Sequence, residues 1–360
     1  MSVIQRPAEE SSIGRRRAIK ETVVIADYDY GDLDIERAII EKAGFELIPA
    51  QCKTEDDVIK IAKDASGIIT QYATIGNRAI ESLARCRVIA RYGSGVDIID
   101  VSAATRKNIL VTNVPSAWCV NEVADHSMAL LLAIARKIIV YDQATHSGVW
   151  HWQSGQPIHR LNQSTLGLLS FGSIAQAIAL RASAFGMRVI ANDPNKPVSE
   201  LTKGGVLPVS FEELVEQSDY LVIQAPLTKT THHLINEEVF KRMKPTAVLI
   251  NTARGPIVSD LALYRALKEG WISTAGVDDI EEEPAKIRNW KPDNQLFELS
   301  NFVVTPHSAY YSEESIAVVR EFAAREVVRV LSGQNPLSPV NPDVLAADPF
   351  SKNGLLADSQ

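Results

Sequence analysis

The sequence predicts an α/β protein built on two doubly wound parallel sheets, and three observations carry that prediction. Its 360 residues exceed one domain of about 150 residues and suffice for two. Apolar residues make up 46% and charged residues 22%, the balance of a chain that folds around a core rather than a disordered or coiled-coil one. From Val23 onward, short β-branched runs alternate with stretches of helical period, the pattern of strand–helix units around a parallel sheet.

A first block ends near Pro115. Strands are expected at Val23–Asp27, Phe45–Pro49, Gly67–Gln71, Val88–Arg91 and Leu110–Asn113, with helices such as Asp34–Lys42 and Glu55–Ala65 between them. Their length and β-branched content suit strands covered on both faces. A longer helical pattern runs from Val120 to Lys137, apolar at Val123, Met128, Leu131, Leu132 and Ile134, with Asn121 placed to cap its start. It reads as a bridge between domains. The stretch Thr145–Gln163 shows no period and reads as a loop with two exposed or interface aromatics, Trp150 and Trp152.

A second series opens at Thr165. Its expected strands are Leu166–Leu169, Val189–Asn192, Leu221–Gln224, Val248–Asn251, Thr274–Val277 and Phe302–Val304, again a doubly wound arrangement. Pro306 breaks the series, and an amphipathic helix, Glu313–Leu331, follows and ends near Gly333. Residues 1–21 and 335–360 read as mobile tails, the basic run Arg15–Arg17 included.

Charge and cysteine usage narrow the function. With 37 Lys+Arg against 44 Asp+Glu the net charge is −7, opposite in sign to a nucleic-acid binder. Cys52, Cys86 and Cys119 form no C-x-x-C pair, so neither a disulfide framework nor a zinc site is expected. Cys119 lies near a helix start, where a thiol pKa can fall, but without a histidine beside it reads as packing. No apolar stretch near the N-terminus or later suggests a secretory signal or membrane span, and the cytoplasm is the expected compartment. His126, His146, His151, His159, His232 and His233 show no metal-ligand spacing with carboxylates or cysteines, so no metal is expected.

After the strand ending at Leu169 comes Ser170-Phe171-Gly172-Ser173-Ile174-Ala175 and a helix. This is a dinucleotide fingerprint with two of three glycines replaced: Gly172 keeps the position where backbone approaches a pyrophosphate, Ala175 is an accepted small residue, and Ser170 is a departure at the tight turn. Asp193 lies 193 − 172 = 21 residues beyond Gly172, where an acidic residue hydrogen-bonds a ribose 2′-hydroxyl and favours NAD over NADP. Asp193 also suits the start of the turn Asp193-Pro194-Asn195, and both roles can hold together.

Arg254, Glu283 and His307 fall at or just past the ends of expected strands, where the crevice of an open α/β sheet lies. An arginine can hold a carboxylate by paired hydrogen bonds, and a histidine oriented by a carboxylate can exchange a proton near neutral pH. At these residues the chain resembles the D-isomer-specific 2-hydroxyacid dehydrogenases, over about Val23 to Leu331. The resemblance is carried by Arg91-Tyr92-Gly93-Ser94-Gly95-Val96-Asp97, the fingerprint, Asn251–Gly255, Gly276–Pro284 and Thr305–His307. Asn113-Val114-Pro115, Asn121–His126 and His307–Glu313 are similar to the C-terminal-binding-protein-like subgroup.

The resemblance implies an NAD-binding Rossmann domain, 118–305, inserted into a flavodoxin-like substrate domain, 22–117 plus 306–334, hinged near Pro115 and Pro306. It implies that Arg254 binds and polarises a 2-oxo acid, that His307 exchanges the proton, and that Glu283 orients His307. Backbone N–H groups of Ser94 and Gly95 would meet the substrate carboxylate, with Tyr310 also at the substrate. Ser170, Gly172, Ser173, Ile174, Asp193, Thr231, Thr252 and Asp278 would line the NAD, Asp278 beside the carboxamide and Thr231 on the pyrophosphate side. A homodimer through the Val120–Lys137 helix is also implied. The chain departs from the family at Ser170 for glycine, Ser94 for a frequent valine, Tyr310 for a tryptophan common in the subgroup, and in a longer Ala285–Ser300. Ser94 and Tyr310 bear on substrate size and polarity rather than on the reaction. The expected activity is hydride transfer between NAD(H) and a small D-2-hydroxy acid/2-oxo acid pair; the alternative is an NAD(H)-sensing, co-repressor-like binding protein with little turnover.

Overall fold

The computed structural model describes residues 20–202, 205–283 and 290–347, and its strands form two parallel sheets. In the first, Thr22–Ile25 (β1), Glu46–Pro49 (β2), Gly67–Thr70 (β3), Val88–Arg91 (β4) and Leu110–Thr112 (β5) stand in the order β2-β1-β3-β4-β5. The second holds Thr165–Leu169 (β6), Arg188–Asn192 (β7), Leu207–Pro208 (β8), Tyr220–Ile223 (β9), Val248–Asn251 (β10), Thr274–Val277 (β11) and Phe302–Val304 (β12), ordered β12-β11-β10-β9-β6-β7-β8. β8 is the strand that the periodicity does not show. Two residues leave no alternation to read, and its proline suits an edge, where a missing N–H costs no ladder bond.

Every residue of β3, β6, β9, β10 and β11 is buried, as sheets covered on both faces require. Helices supply the cover. The bridging helix, Val120–Ala135, spends its apolar stripe on the helix Ser173–Ala184 and on β10 and β11. Asn121 does not cap it. Cys119 takes the cap position, and Asn121, already inside the first turn, accepts from Arg181 Nη2 at 3.2 Å. Lys137 breaks the run by turning left-handed, at φ 55°. The stretch expected as a loop from Thr145 begins instead inside a second helix, Ile138–His146, which buries no residue.

The long helix Glu313–Leu331 returns to the first sheet and packs on β3, β4 and the helix Asp34–Ile40. Its anchor is Arg320, which donates from Nε and Nη2 to the fully buried Glu36 at 2.9 and 2.8 Å; Tyr92 Oη donates to the same carboxylate. A buried charge is tolerated because it is paired and hydrogen-bonded.

The C-terminal expectation needs correction. Residues 335–347, read as part of a mobile tail, lie along the first sheet. Asn341 Oδ1 accepts from Val111 N at 2.8 Å and Nδ2 donates to Ile109 O, while the N–H groups of Leu337 and Ser338 donate to Glu326. β5 is an edge strand with unpaired backbone groups, and this segment satisfies them. Residues 1–19, with Arg15–Arg17, Pro284 and the beginning of the Ala285–Ser300 stretch, and 348–360 lie outside the described residues.

Candidate active site

The loops that leave the C-terminal ends of the strands converge on one cleft between the two sheets, a cavity of about 560 Å³. From the first sheet comes the loop after β4, with Ser94 and Gly95. The second sheet supplies Gly172–Ile174 after β6, Thr252–Arg254 after β10, Asp278 after β11, and His307 and Tyr310 after β12. In a parallel sheet all these loops leave on the same side, so residues far apart in sequence meet there.

Arg254, Glu283 and His307 come together. His307 Nδ1 and Glu283 Oε1 are 2.5 Å apart, which fixes the proton on Nδ1 toward the carboxylate and leaves Nε2 for the cavity. Glu283 is 6% exposed, so the pair is shielded from bulk water. His307 holds a left-handed backbone, φ 51°, pinned by its N–H on Asp278 O at 2.7 Å. That conformation is uncommon for a non-glycine residue and belongs where the surroundings over-determine it. Tyr72 and Tyr310 set their rings edge-on to the imidazole, centroids 5.8 and 5.9 Å away. The neighbouring glutamates go elsewhere. Glu281 takes His233 Nε2 at 2.6 Å, and Glu282 is exposed.

Arg254 Nε donates to Asp97 Oδ1 at 3.3 Å and Nη1 to Ala253 O at 2.7 Å. Burial opposes its charge, but Asp97, then Asp279 and Glu283, hold its pKa above the ordinary arginine value. Gly95 makes room for it: a Cβ there would stand 2.2 Å from Arg254 Nη2. Ser94 O accepts from Asn113 Nδ2 at 2.7 Å, while the N–H groups of Ser94 and Gly95 have no protein acceptor among the described residues.

At the fingerprint, Gly172 caps the helix Ser173–Ala184 with no side-chain bond, so the helix N–H groups face the cavity as an anion-binding end. A Cβ on Gly172 would meet nothing within 4 Å. Ser170, where a glycine is usual, has φ 76°, and its Oγ donates to Asp193 Oδ2 at 3.1 Å. The same oxygen takes Phe171 N at 2.8 Å, and Asp193 Oδ1 takes Asn195 N. Asp193 therefore holds the fingerprint turn and its own turn at once. Thr252 lines the cavity, its Oγ1 bonded to Ser127 Oγ and Gln224 Nε2, both at 2.7 Å.

Thr231 is not among the residues that line the cavity; it closes its own loop by donating to Pro226 O, in the cavity wall, at 2.6 Å. Asp278 is 2% exposed, and its carboxylate is occupied by Thr305 Oγ1 and the N–H groups of Ser308 and Ala309, so it anchors the segment carrying His307. Several contributors escaped sequence reading. Arg91 lines the cavity with its Nε buried and without a hydrogen-bond partner among the described residues; loss of hydration, then the charge of Arg254, lowers its pKa. Tyr72 donates or accepts at Tyr310 Oη, 3.3 Å away. Cys119 is buried, and burial pushes its thiol up to about 12, so the helix-start effect does not prevail. The fold also brings donor atoms of His232, His233 and Glu281 within 4.8 Å of one another, a proximity that spacing along the chain does not show.

Residues 128–309 match the model of the D-isomer specific 2-hydroxyacid dehydrogenase NAD-binding domain. A glyoxylate reductase of Pyrococcus furiosus is 38% identical over 300 residues, covering 81% of this chain and 86% of that one. The chain belongs to the D-isomer specific 2-hydroxyacid dehydrogenase family. A D-3-phosphoglycerate dehydrogenase of Methanocaldococcus jannaschii is 37% identical, over 84% of this chain and 56% of that one. Among solved structures, D-lactate dehydrogenase from Aquifex aeolicus, complexed with NAD and lactic acid, matches with a TM-score of 0.80 and 29% identity, covering 86% of this chain and 96% of that one. This 2-hydroxyacid dehydrogenase is thus an NAD-dependent oxidoreductase, and its residues fit the cofactor: the open face of Gly172 and the bare N-terminus behind it suit a pyrophosphate.

Proposed function

We propose that Arg254, Glu283 and His307 reduce a small 2-oxo acid to the D-2-hydroxy acid, and catalyse the reverse, with NADH as the hydride carrier. The observation that carries this reading is their convergence, with His307 Nδ1 on Glu283 and Nε2 left to a cavity that Arg254 also lines. Bound NADH supplies the hydride. The N–H groups of Ser94 and Gly95 and the Arg254 guanidinium hold the substrate carboxylate, and Arg254 draws charge onto the carbonyl oxygen. His307 Nε2 delivers its proton to that oxygen, and Glu283 stabilises the imidazolium from behind. Tyr310 and Tyr72 bound the substrate's far side.

Glyoxylate and similarly small 2-oxo acids are the proposed substrates, supported by the names of the relatives. Asp193 favours NAD over NADP because its carboxylate would repel a 2′-phosphate; Gly172, Ser173, Ile174 and Thr252 form the rest of the cofactor wall. A homodimer is supported by apolar surface one helix beyond the expected contact: Ile138, Ile139, Val140, Val149, Trp150 and Trp152 are exposed, Trp150 at 87%, whereas the bridging helix buries its own stripe within the chain. Three buried cysteines, none of them in a disulfide, support a reducing, cytoplasmic setting; no helix among the described residues is long and apolar enough to cross a membrane.

The test is steady-state turnover of a 2-oxo acid panel with NADH and NADPH, for the wild-type protein and His307→Ala. We expect His307→Ala to lose about 10²–10⁴-fold in turnover while NADH binding persists. Undiminished turnover overturns the mechanism, and tight NADH binding with only a few turnovers per hour in the wild type favours the sensing alternative.

A further inference from the structure

One buried ionisable side chain beside the site has no task in this mechanism. Asp279 follows β11, is 8% exposed, and accepts from Gly255 N at 3.1 Å through Oδ2. Its other oxygen, Oδ1, is buried with no hydrogen-bond partner among the described residues. Few buried carboxylate oxygens go unpaired, because the lost hydration is not returned. Asp279, Glu283 and His307 each place a donor atom within 4.8 Å of the other two. Asp279 therefore stands between the Arg254 loop and the Glu283–His307 pair.

We infer that Asp279 is a positioning residue of the proton-transfer group, a second buried carboxyl behind Glu283 that favours the charged imidazole and sets the pH at which His307 gives up its proton. The inference rests on His307 being the proton donor, as proposed above. Two carboxylates this close repel unless a cation or a proton lies between them, and the imidazolium is the nearest cation. When Nε2–H passes to the substrate oxygen as the hydride reaches carbon, the product hydroxyl is complete, and the two carboxylates are left beside a neutral ring. Asp279 thus makes His307 a weaker acid, which retains the reductive proton at higher pH.

The surroundings support an electrostatic role. Burial, then the charge of Glu283, raises the Asp279 pKa, and His307, the Gly255 N–H and Arg254 pull it down. The Glu283 charge and the Asp279 carboxyl therefore act on each other directly. Arg254 faces these two groups from the end of β10, and Asp260 and Glu281 stand beyond them: burial is the main reason the Asp260 carboxyl rises to about 6, with Glu281 and Asp279 adding to the rise. His307 itself meets Glu283, the carbonyl of Asp278, and the rings of Tyr72 and Tyr310, with Arg91 across the cavity.

Asp279→Asn keeps an acceptor for Gly255 N–H and removes the charge. We expect the alkaline limb of kcat/KM for 2-oxo acid reduction to move to lower pH by about one to two units. The His307 Cε1–H resonance, titrated by NMR in the free protein, should move the same way. An unmoved or upward-shifted His307 titration overturns the inference. If His307→Ala retains turnover, the proposed function fails instead, and the NMR titration still reads the coupling without reference to catalysis. Should the asparagine variant fold poorly, Asp279→Val is the second variant. It removes the same charge with an apolar side chain of similar size and carries the same expected shift.

Discussion

Ser170→Gly and Ser170→Ala, compared with each other, test whether the fingerprint turn is strained. Ser170 sits at φ 76°, a region that costs an L-residue about 1–2 kcal/mol and glycine almost nothing. Its Oγ donates to Asp193 Oδ2 at 3.1 Å, a bond with a net worth of about 1 kcal/mol at a partly exposed site. Ser170→Gly removes strain and bond together, and glycine loosens the unfolded chain by a further 0.4–1 kcal/mol, roughly; the three effects nearly cancel. Ser170→Ala keeps the strain and loses the bond, a net loss of about 1 kcal/mol. The glycine variant should therefore be the more stable of the two by about 1 kcal/mol, or on the order of 2–4 °C in Tm. Calorimetry of the two proteins side by side measures the difference. An alanine variant more stable than the glycine variant by about 0.4–1 kcal/mol would show that the turn holds no strain. A second readout is NADH affinity. Glycine frees Asp193 Oδ2 from one competing donor, and we expect Kd to fall by about threefold, or about 0.7 kcal/mol; an unchanged Kd would mean that the hydroxyl is accommodated.

Two other perturbations read separate parts of the cleft. Gly95→Ala brings a Cβ to within 2.2 Å of Arg254 Nη2, and the flexible guanidinium must move. We expect KM for the 2-oxo acid to rise at least about tenfold, one carboxylate hydrogen bond's worth, with Tm within about 2 °C of wild type; an unchanged KM would remove Arg254 from substrate binding. Trp150→Ala combined with Trp152→Ala deletes the most exposed apolar surface of the 138–152 region. If the proposed homodimer forms through this surface, light scattering should show a dimer for the wild type and a monomer for the double variant; a dimer that persists in the double variant would place the interface elsewhere.

Much of the cleft is legible before folding, for a physical reason. Loops at the C-terminal ends of parallel strands face one crevice, so locating β10 and β12 along the chain already places Arg254 and His307 there. The choice of Glu283 over Glu281 and Glu282 is less legible. Three adjacent glutamates look alike in sequence, and apart from the family resemblance only the following proline marks one of them. In the folded chain Glu281 meets His233, Glu282 meets solvent, and Glu283 is buried against His307.

The sequence by itself determined the two-sheet α/β class, the place along the chain of nearly all the strands, the dinucleotide turn and the position of Arg254 and His307 at strand ends. These follow from local period, from turn residues and from motifs that sit at strand ends. Tertiary structure alone decided that Ser170 turns left-handed and leans on Asp193, that residues 335–347 close the edge of β5, that Thr231 serves its own loop, and that one oxygen of Asp279 lies behind the Glu283–His307 pair without a partner among the described residues. Each of these depends on which groups from distant segments meet, and on whether a buried polar atom finds a partner there. That is set by the register of the sheets and the packing of helices upon them, which no local pattern encodes.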